Sequence, residues 1–451
     1  MTRGTQSKTV GQLSNTSQSS QRIPAVLTRL TWLLWVGSLV VLAAWIRSES
    51  PWELSGVLAV DGLTIIMWVV VPFFGGIVHS YSRRYMAGSH NISGFFTRVF
   101  GFVLVVMVLV AADHVALFVA TWLAMGLFMA ELIGFVRGWR QARIAGAIAR
   151  RYFLASSVVL AVSLATLWWA TDATTISGIV SSVDGIERNV RLFAVGLLIL
   201  AAVIQSALVP FHTWLLSSMT APTPASALMH AGFVNAGGIL LTRFAPVVAL
   251  EEVMLVVVVV GAASALLGKL LKSVRTDVKS QLGCSTVGQM GFMTMQAGLG
   301  FFGAAITHLV LHGFYKAYLF LASGSRVEQT NPDRRDSTRG SLGIVGAIVT
   351  GLTAVVGGGL FAVLTGKGTE LDAGLLLTLL VVVTTLHGTQ DVVKRTALPA
   401  TLRYGVVPLV FLPSIALYAG AYEAITGLLH GLPAVTAPAE LTIVHGIVAA
   451  L

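Results

Sequence analysis

Phe302 to Ser323 reads FGAAITHLVLHGFYKAYLFLAS. A helix of this length and apolar content spans a hydrocarbon core about 30 Å thick, yet it carries three ionisable side chains, His308, His312 and Lys316. A helix turns about 100° per residue, so each four-residue step drifts about 40° and climbs about 6 Å. The three side chains therefore share one face. An ionisable group at the centre of a bilayer costs roughly 2.5 kcal/mol or more, and its default reading is a proton or ion path. A lone histidine on such a helix is most simply a hydrogen-bond partner for its neighbour. Two histidines aligned with a lysine favour a relay.

The rest of the chain agrees with a membrane setting. Of its 451 residues 55% are hydrophobic and 11% charged, whereas soluble domains carry about 25% charged residues. Apolar runs near 20 residues recur from 25–46 through 404–427 and suggest about thirteen transmembrane helices. The expected fold class is an all-α polytopic membrane protein. The net charge of +10 is spread so that alternate loops are basic. One set holds Arg83 and Arg84, then Arg137, Arg140 and Arg143, then Lys269, Lys272, Arg275 and Lys279; the intervening loops hold few, such as Arg47, Arg188 and Lys367. This is the positive-inside pattern. It places the N-terminus in the cytoplasm and the chain in the cell's inner (cytoplasmic) membrane, and it accounts for the charge without a nucleic-acid partner. Cys284 is the only cysteine, so neither an intrachain disulfide nor a cysteine-rich metal site is available.

Residues 1–24, rich in Ser, Gln and Thr, are expected to be a disordered cytoplasmic tail, followed by a retained first helix. Residues 25–430 read as a single membrane domain with a core at about 55–390, and 431–451 as a C-terminal segment. The largest polar loop runs from Arg326 to Gly340. Two helices look interrupted: the one ending at Pro210, and the run with Gly357, Gly358 and Gly359. Irregular backbone at membrane depth is tolerated only inside protein or beside water, and paired breaks point to a transport path. Close helix packing is the alternative reading of the glycines.

Three stretches carry a family resemblance: VPFHTWLLSSMTAPTPASALMHAGFVNAGGILLTRF (209–244), TDVKSQLGCSTVGQMGF (276–292) and HLVLHGFYKAYLFLASGS (308–325). With VDGLTIIM (60–67) and YSRRYM (81–86), they resemble the antiporter-like subunits of respiratory complex I and of Mrp-type cation/proton antiporters. The resemblance implies an inverted repeat with broken helices, and a buried proton relay of His230, Lys279, His308, His312 and Lys316. It departs in the first half. Gln205 stands where the family has a lysine, and Trp122 is followed by Leu123 where the family has a glutamate. The nearest acid on that helix, Glu131, lies about 12 Å further along and about 80° around. Asp277, Glu131 and Gln205 are accessory candidates.

A shorter member with a weakened first half is similar to the membrane subunits of DAB inorganic-carbon uptake systems. That resemblance implies a proton-conducting subunit working with the lipid bilayer, protons and a large DabA-type partner that resembles carbonic anhydrase. The zinc and any CO2 hydration are expected on the partner, with no cofactor, metal or catalytic site on this chain. Two other readings stand beside it: a subunit of a Mrp-like antiporter or respiratory proton pump, and a scaffold that no longer conducts. A metal on His308 and His312 is a further alternative, but residue 309 is leucine, which removes the glutamate of an HExxH site.

Overall fold

The computed structural model describes residues 18–48, 52–54, 56–323, 342–370, 372–394, 399–434, 440 and 442–450. Most of the expected tail (residues 1–17) and the loop Arg326–Gly340 lie outside the described residues. The chain runs α1 (Gln18–Ser48), β1 (Trp52–Leu54), β2 (Leu58–Val60), α2 (Gly62–Tyr85), α3 (Ile92–Ala111), α4 (Val115–Ile133), α5 (Arg140–Thr171), α6 (Ile176–Ser181) and α7 (Arg188–Gln205). It continues with α8 (Thr213–Ser217), α9 (Thr223–Ala231), α10 (Ala236–Arg243), α11 (Ala245–Val248), α12 (Glu251–Ser273), α13 (Val278–Gly298) and α14 (Phe302–Leu321). The last four helices are α15 (Gly343–Thr365), α16 (Ala373–Val393), α17 (Ala400–Leu429) and α18 (Ile443–Ala450). The two strands form a small antiparallel hairpin.

Among the described residues, eleven helical segments, α9 and α10 counted together as Thr223–Arg243, are long and apolar enough to cross a membrane. Neither α13 nor α14 is one of them, although at 21 and 20 residues both are long enough. Their polar side chains dilute their apolar character, and adding these two to the eleven restores the expected thirteen. Helix α1 begins at Gln18, so residues 18–24 are helical, contrary to the expected tail. Only 17% of its membrane stretch is buried. It lies against α2, where Trp32 Nε1 donates to Ser80 Oγ at 3.0 Å.

Two helices are interrupted, but only one at the expected place. Helix α7 stops at Gln205; Ala207 takes a left-handed φ of +54° ahead of Pro210, and the short α8 follows. The break is held by packing, with Trp214 Nε1 donating to Ile204 O at 2.9 Å and the Trp214 ring 4.8 Å from that of Phe153. The second interruption separates α9 from α10, where Gly232 and a 3-10 turn over Phe233–Asn235 intervene. The glycine run instead lies within the continuous α15. A Cβ at Gly357 would meet Ile415 Cδ1 at 2.5 Å, and one at Gly358 would meet Val382 Cγ2 at 2.3 Å. Those glycines admit neighbouring side chains and interrupt nothing.

Helix α13 is drawn against α12 by the same device. A Cβ at Gly268 would meet Gly288 N at 2.3 Å, and one at Gly291 would meet Ala265 N at 2.4 Å. The helix starts where Asp277 caps it, its carboxylate accepting from Ser280 N at 2.8 Å. At the opposite end of the bundle Arg243, closing α10, pairs with Asp61, the N-cap of α2. Arg243 also donates to Val110 O at 2.5 Å. The pair is nearly buried, with side chains 9% and 16% exposed, and it joins the interrupted helix to the first half of the molecule.

Candidate functional site

Helices α9, α13 and α14 bring four of the five candidate relay groups together, and the junction is a backbone carbonyl. Lys316 is fully buried and its Nζ donates to Leu282 O on α13 at 3.0 Å. Thr286, one turn along, donates its hydroxyl to the same carbonyl at 3.0 Å. His230 Nδ1 lies 2.9 Å from that hydroxyl. Because the threonine proton is committed to Leu282 O, the imidazole must donate from Nδ1. His230 Nε2 is then a bare acceptor, and it is buried without a partner. The ring is held in place by Phe320, stacked 4.3 Å away at 14°.

From Lys316 the series continues along α14. His312 is buried, within electrostatic range of Lys316, His230 and His308, and its ring stacks on that of His308 at 5.6 Å. The Nε2 atoms of His308 and His312, like that of His230, are buried and unpaired. Each unsatisfied buried group costs about 1–3 kcal/mol, and a run of them needs an explanation beyond packing. None of the ion pairs among the described residues includes Lys316 or Lys279. The expected shared face is therefore present, and the Nε2 atoms of its histidines are free.

A cavity adjoins each end of the series. Lys279 donates to Ala221 O at 3.1 Å and lines a space of about 800 Å³ with Tyr85, Asn91, Arg137 and Pro222. His308 lines a second cavity, of about 340 Å³, with Gln296, Thr385, Ser414 and Tyr418. Both volumes admit many waters, each needing about 30 Å³.

The accessory candidates do not join the site. Glu131 sits at the end of α4, 38% exposed, paired with Arg150 at 2.6 Å and lying 3.7 Å from Arg98 and 3.8 Å from Arg137. Three guanidiniums hold it at the surface, away from the missing glutamate's position. Asp277 is a helix cap and forms no ion pair with Lys279. Partial burial would raise its carboxyl pKa, but hydrogen bonds from Ser280 and the charge of Arg275 hold it below the ordinary carboxylate range. Gln205 is completely buried, and both its amide atoms lack partners. Between the halves, a space bounded by Trp122, Met125, Phe233 and Leu309 measures only about 30 Å³. Thr286 was not among the sequence candidates, though it stands seven residues, two turns, after Lys279 and so on the same face. Among the described residues, no three of His, Cys, Asp and Glu gather as a metal site.

The chain matches known proteins over this region. A family model described as NADH:quinone oxidoreductase/Mrp antiporter, TM, covers residues 112–363. A second, described as NADH-Ubiquinone oxidoreductase (complex I), chain 5 N-terminus, covers 45–96. The probable inorganic carbon transporter subunit DabB of Bacillus subtilis (strain 168) is 36% identical over 72% of this chain and 64% of its own length. DabB1 of Halothiobacillus neapolitanus is 38% identical over 61% of this chain and 50% of its own. NADH-quinone oxidoreductase subunit L of Mycobacterium tuberculosis is 35% identical over 61% and 44%. The match thus spans between two fifths and two thirds of these relatives. The fold is shared with a chain in the structure of the Mrp complex from Dietzia sp. DQ12-45-1b, at TM-score 0.60 and 23% identity over 95% of this chain and 46% of that one.

Proposed function

The chain belongs to the antiporter-like membrane subunit family of complex I and Mrp antiporters, and we propose that it is a proton-conducting subunit whose flux drives uptake of inorganic carbon, as CO2 or bicarbonate, by a partner. The observation that carries the conducting role is the buried series His230, Lys316, His312 and His308, in which Lys316 and the Thr286-held His230 converge on Leu282 O and the three imidazole Nε2 atoms are without partners. The relatives named as inorganic carbon transporter subunits, among them DabB of B. subtilis, support the choice of cargo.

In this reading a proton enters through the larger cavity at Lys279 and passes to His230 Nε2. It continues by Lys316 and His312 to His308 and the second cavity. The unpaired imidazole nitrogens are the acceptors, and water from either cavity bridges gaps that the side chains do not close. One charge crossing the membrane is worth about 2.3 kcal/mol per 100 mV, enough to bias a conformational step in a partner. That partner is a large DabA-type subunit holding zinc, and the arginine-rich loops face the cytoplasm. Lys316→Ala in the native complex should abolish bicarbonate-dependent growth at ambient CO2 and proton uptake in proteoliposomes, with the complex still recovered by pull-down. Unchanged growth and uptake would overturn the reading.

A second reading, as part of a Mrp-like antiporter or respiratory proton pump, draws on the similarity to NADH-quinone oxidoreductase subunit L. Copurification of quinone-reducing subunits, or sodium-linked rescue of an antiporter-deficient host, would favour it over carbon uptake.

A further inference from the structure

At the end of the molecule that carries Arg83 and Arg84, a cavity of about 870 Å³ opens between the start of α1, the end of α2 and the start of α3. Its walls include Pro24, Tyr81, Arg83, Arg84, Tyr85 and Ser89. Both arginine side chains are exposed, and neither takes part in an ion pair or side-chain hydrogen bond among the described residues. The rings of Tyr81 and Tyr85 stack at 5.6 Å. The Tyr85 hydroxyl is engaged, donating to Thr223 Oγ1 at 3.2 Å at the start of α9. The turn after α2 passes through Gly88 at φ +82°, a conformation that favours glycine.

We propose that this cavity is a binding site for the phosphate headgroup of an anionic phospholipid. Two observations combine. The two guanidiniums supply fork-shaped donors suited to a phosphate, and no anion among the described residues pairs with them. The cavity lies where the apolar stretch of α2 gives way to arginines, beside tyrosines of the kind that sit at headgroup level. Basic pockets between transmembrane helices at that depth suit anionic headgroups.

The test is native mass spectrometry of the full chain in detergent, with phosphatidylglycerol and phosphatidylcholine as paired probes and inorganic phosphate as competitor. Phosphatidylglycerol should be retained over phosphatidylcholine. Arg83→Gln with Arg84→Gln should weaken it by about fivefold per arginine. The control pair Arg140→Gln with Arg143→Gln removes the same charge from exposed positions outside the cavity and should leave retention unchanged. Matching melting curves for the two variants keep a folding defect from mimicking the result. Equal retention of the two lipids, loss of lipid in both variants alike, or displacement of phosphatidylglycerol by inorganic phosphate alone would overturn the proposal.

Discussion

The hydroxyl of Thr286 and the carbonyl of Leu282 together stand between a buried histidine and a buried lysine at this site, so Thr286 is the residue whose loss says most about how His230 is held. Thr286→Val keeps the volume but leaves His230 Nδ1–H without an acceptor, at a cost of about 1–3 kcal/mol. Proton uptake in proteoliposomes should fall by about tenfold or more, and Thr286→Ser should restore it. Equal uptake in Thr286→Val and the parent would mean that the relay does not depend on the orientation and tautomer that Thr286 gives His230. Gln205 makes the opposite case. Both polar atoms of its buried amide are unpaired, and replacing such a group by an apolar one of similar shape is neutral or stabilising. Gln205→Leu should therefore raise the melting temperature by a few degrees without changing proton uptake. A collapse of uptake would place a working path in the first half.

Among the helices, the two kinds of glycine-containing segment have different consequences. Gly232 ends α9 one residue after Ala231 and two after His230, so this break adjoins the relay. Gly358 lies in the continuous α15, with Val382 pressed against it. Gly358→Leu should overpack that contact and destabilise by about 1–3 kcal/mol, visible in thermal unfolding. Uptake per folded molecule should not change. A specific loss of conduction at normal stability would restore the glycine run to the transport path. The sequence pattern alone did not separate these cases, because glycine at a break and glycine at a helix contact look alike until the neighbouring helix is in place.

For the whole molecule, the tie between Arg243 and Asp61 connects the interrupted helix to α2 across 182 residues of chain. Breaking a buried pair by removing one partner typically costs about 3–5 kcal/mol, whereas replacing both with apolar residues is often neutral. Arg243→Met should lower the melting temperature markedly, and Asp61→Leu added to it should recover much of the loss. A tie of no consequence would leave both variants melting like the parent.

The sequence by itself determined the membrane class, the helix count and the alignment of His308, His312 and Lys316, because apolar length and helical period are local properties of the chain. Motifs also brought His230 and Lys279 into view. The tertiary structure alone decided that Thr286 and the carbonyl of Leu282 join His230 to Lys316, that Glu131 belongs to surface arginines, and that the second interruption lies at Gly232. Each of these depends on which atoms from distant segments share a few ångströms of buried space. Hydrogen bonding and steric contact act over that range, and no spacing along a single helix encodes it.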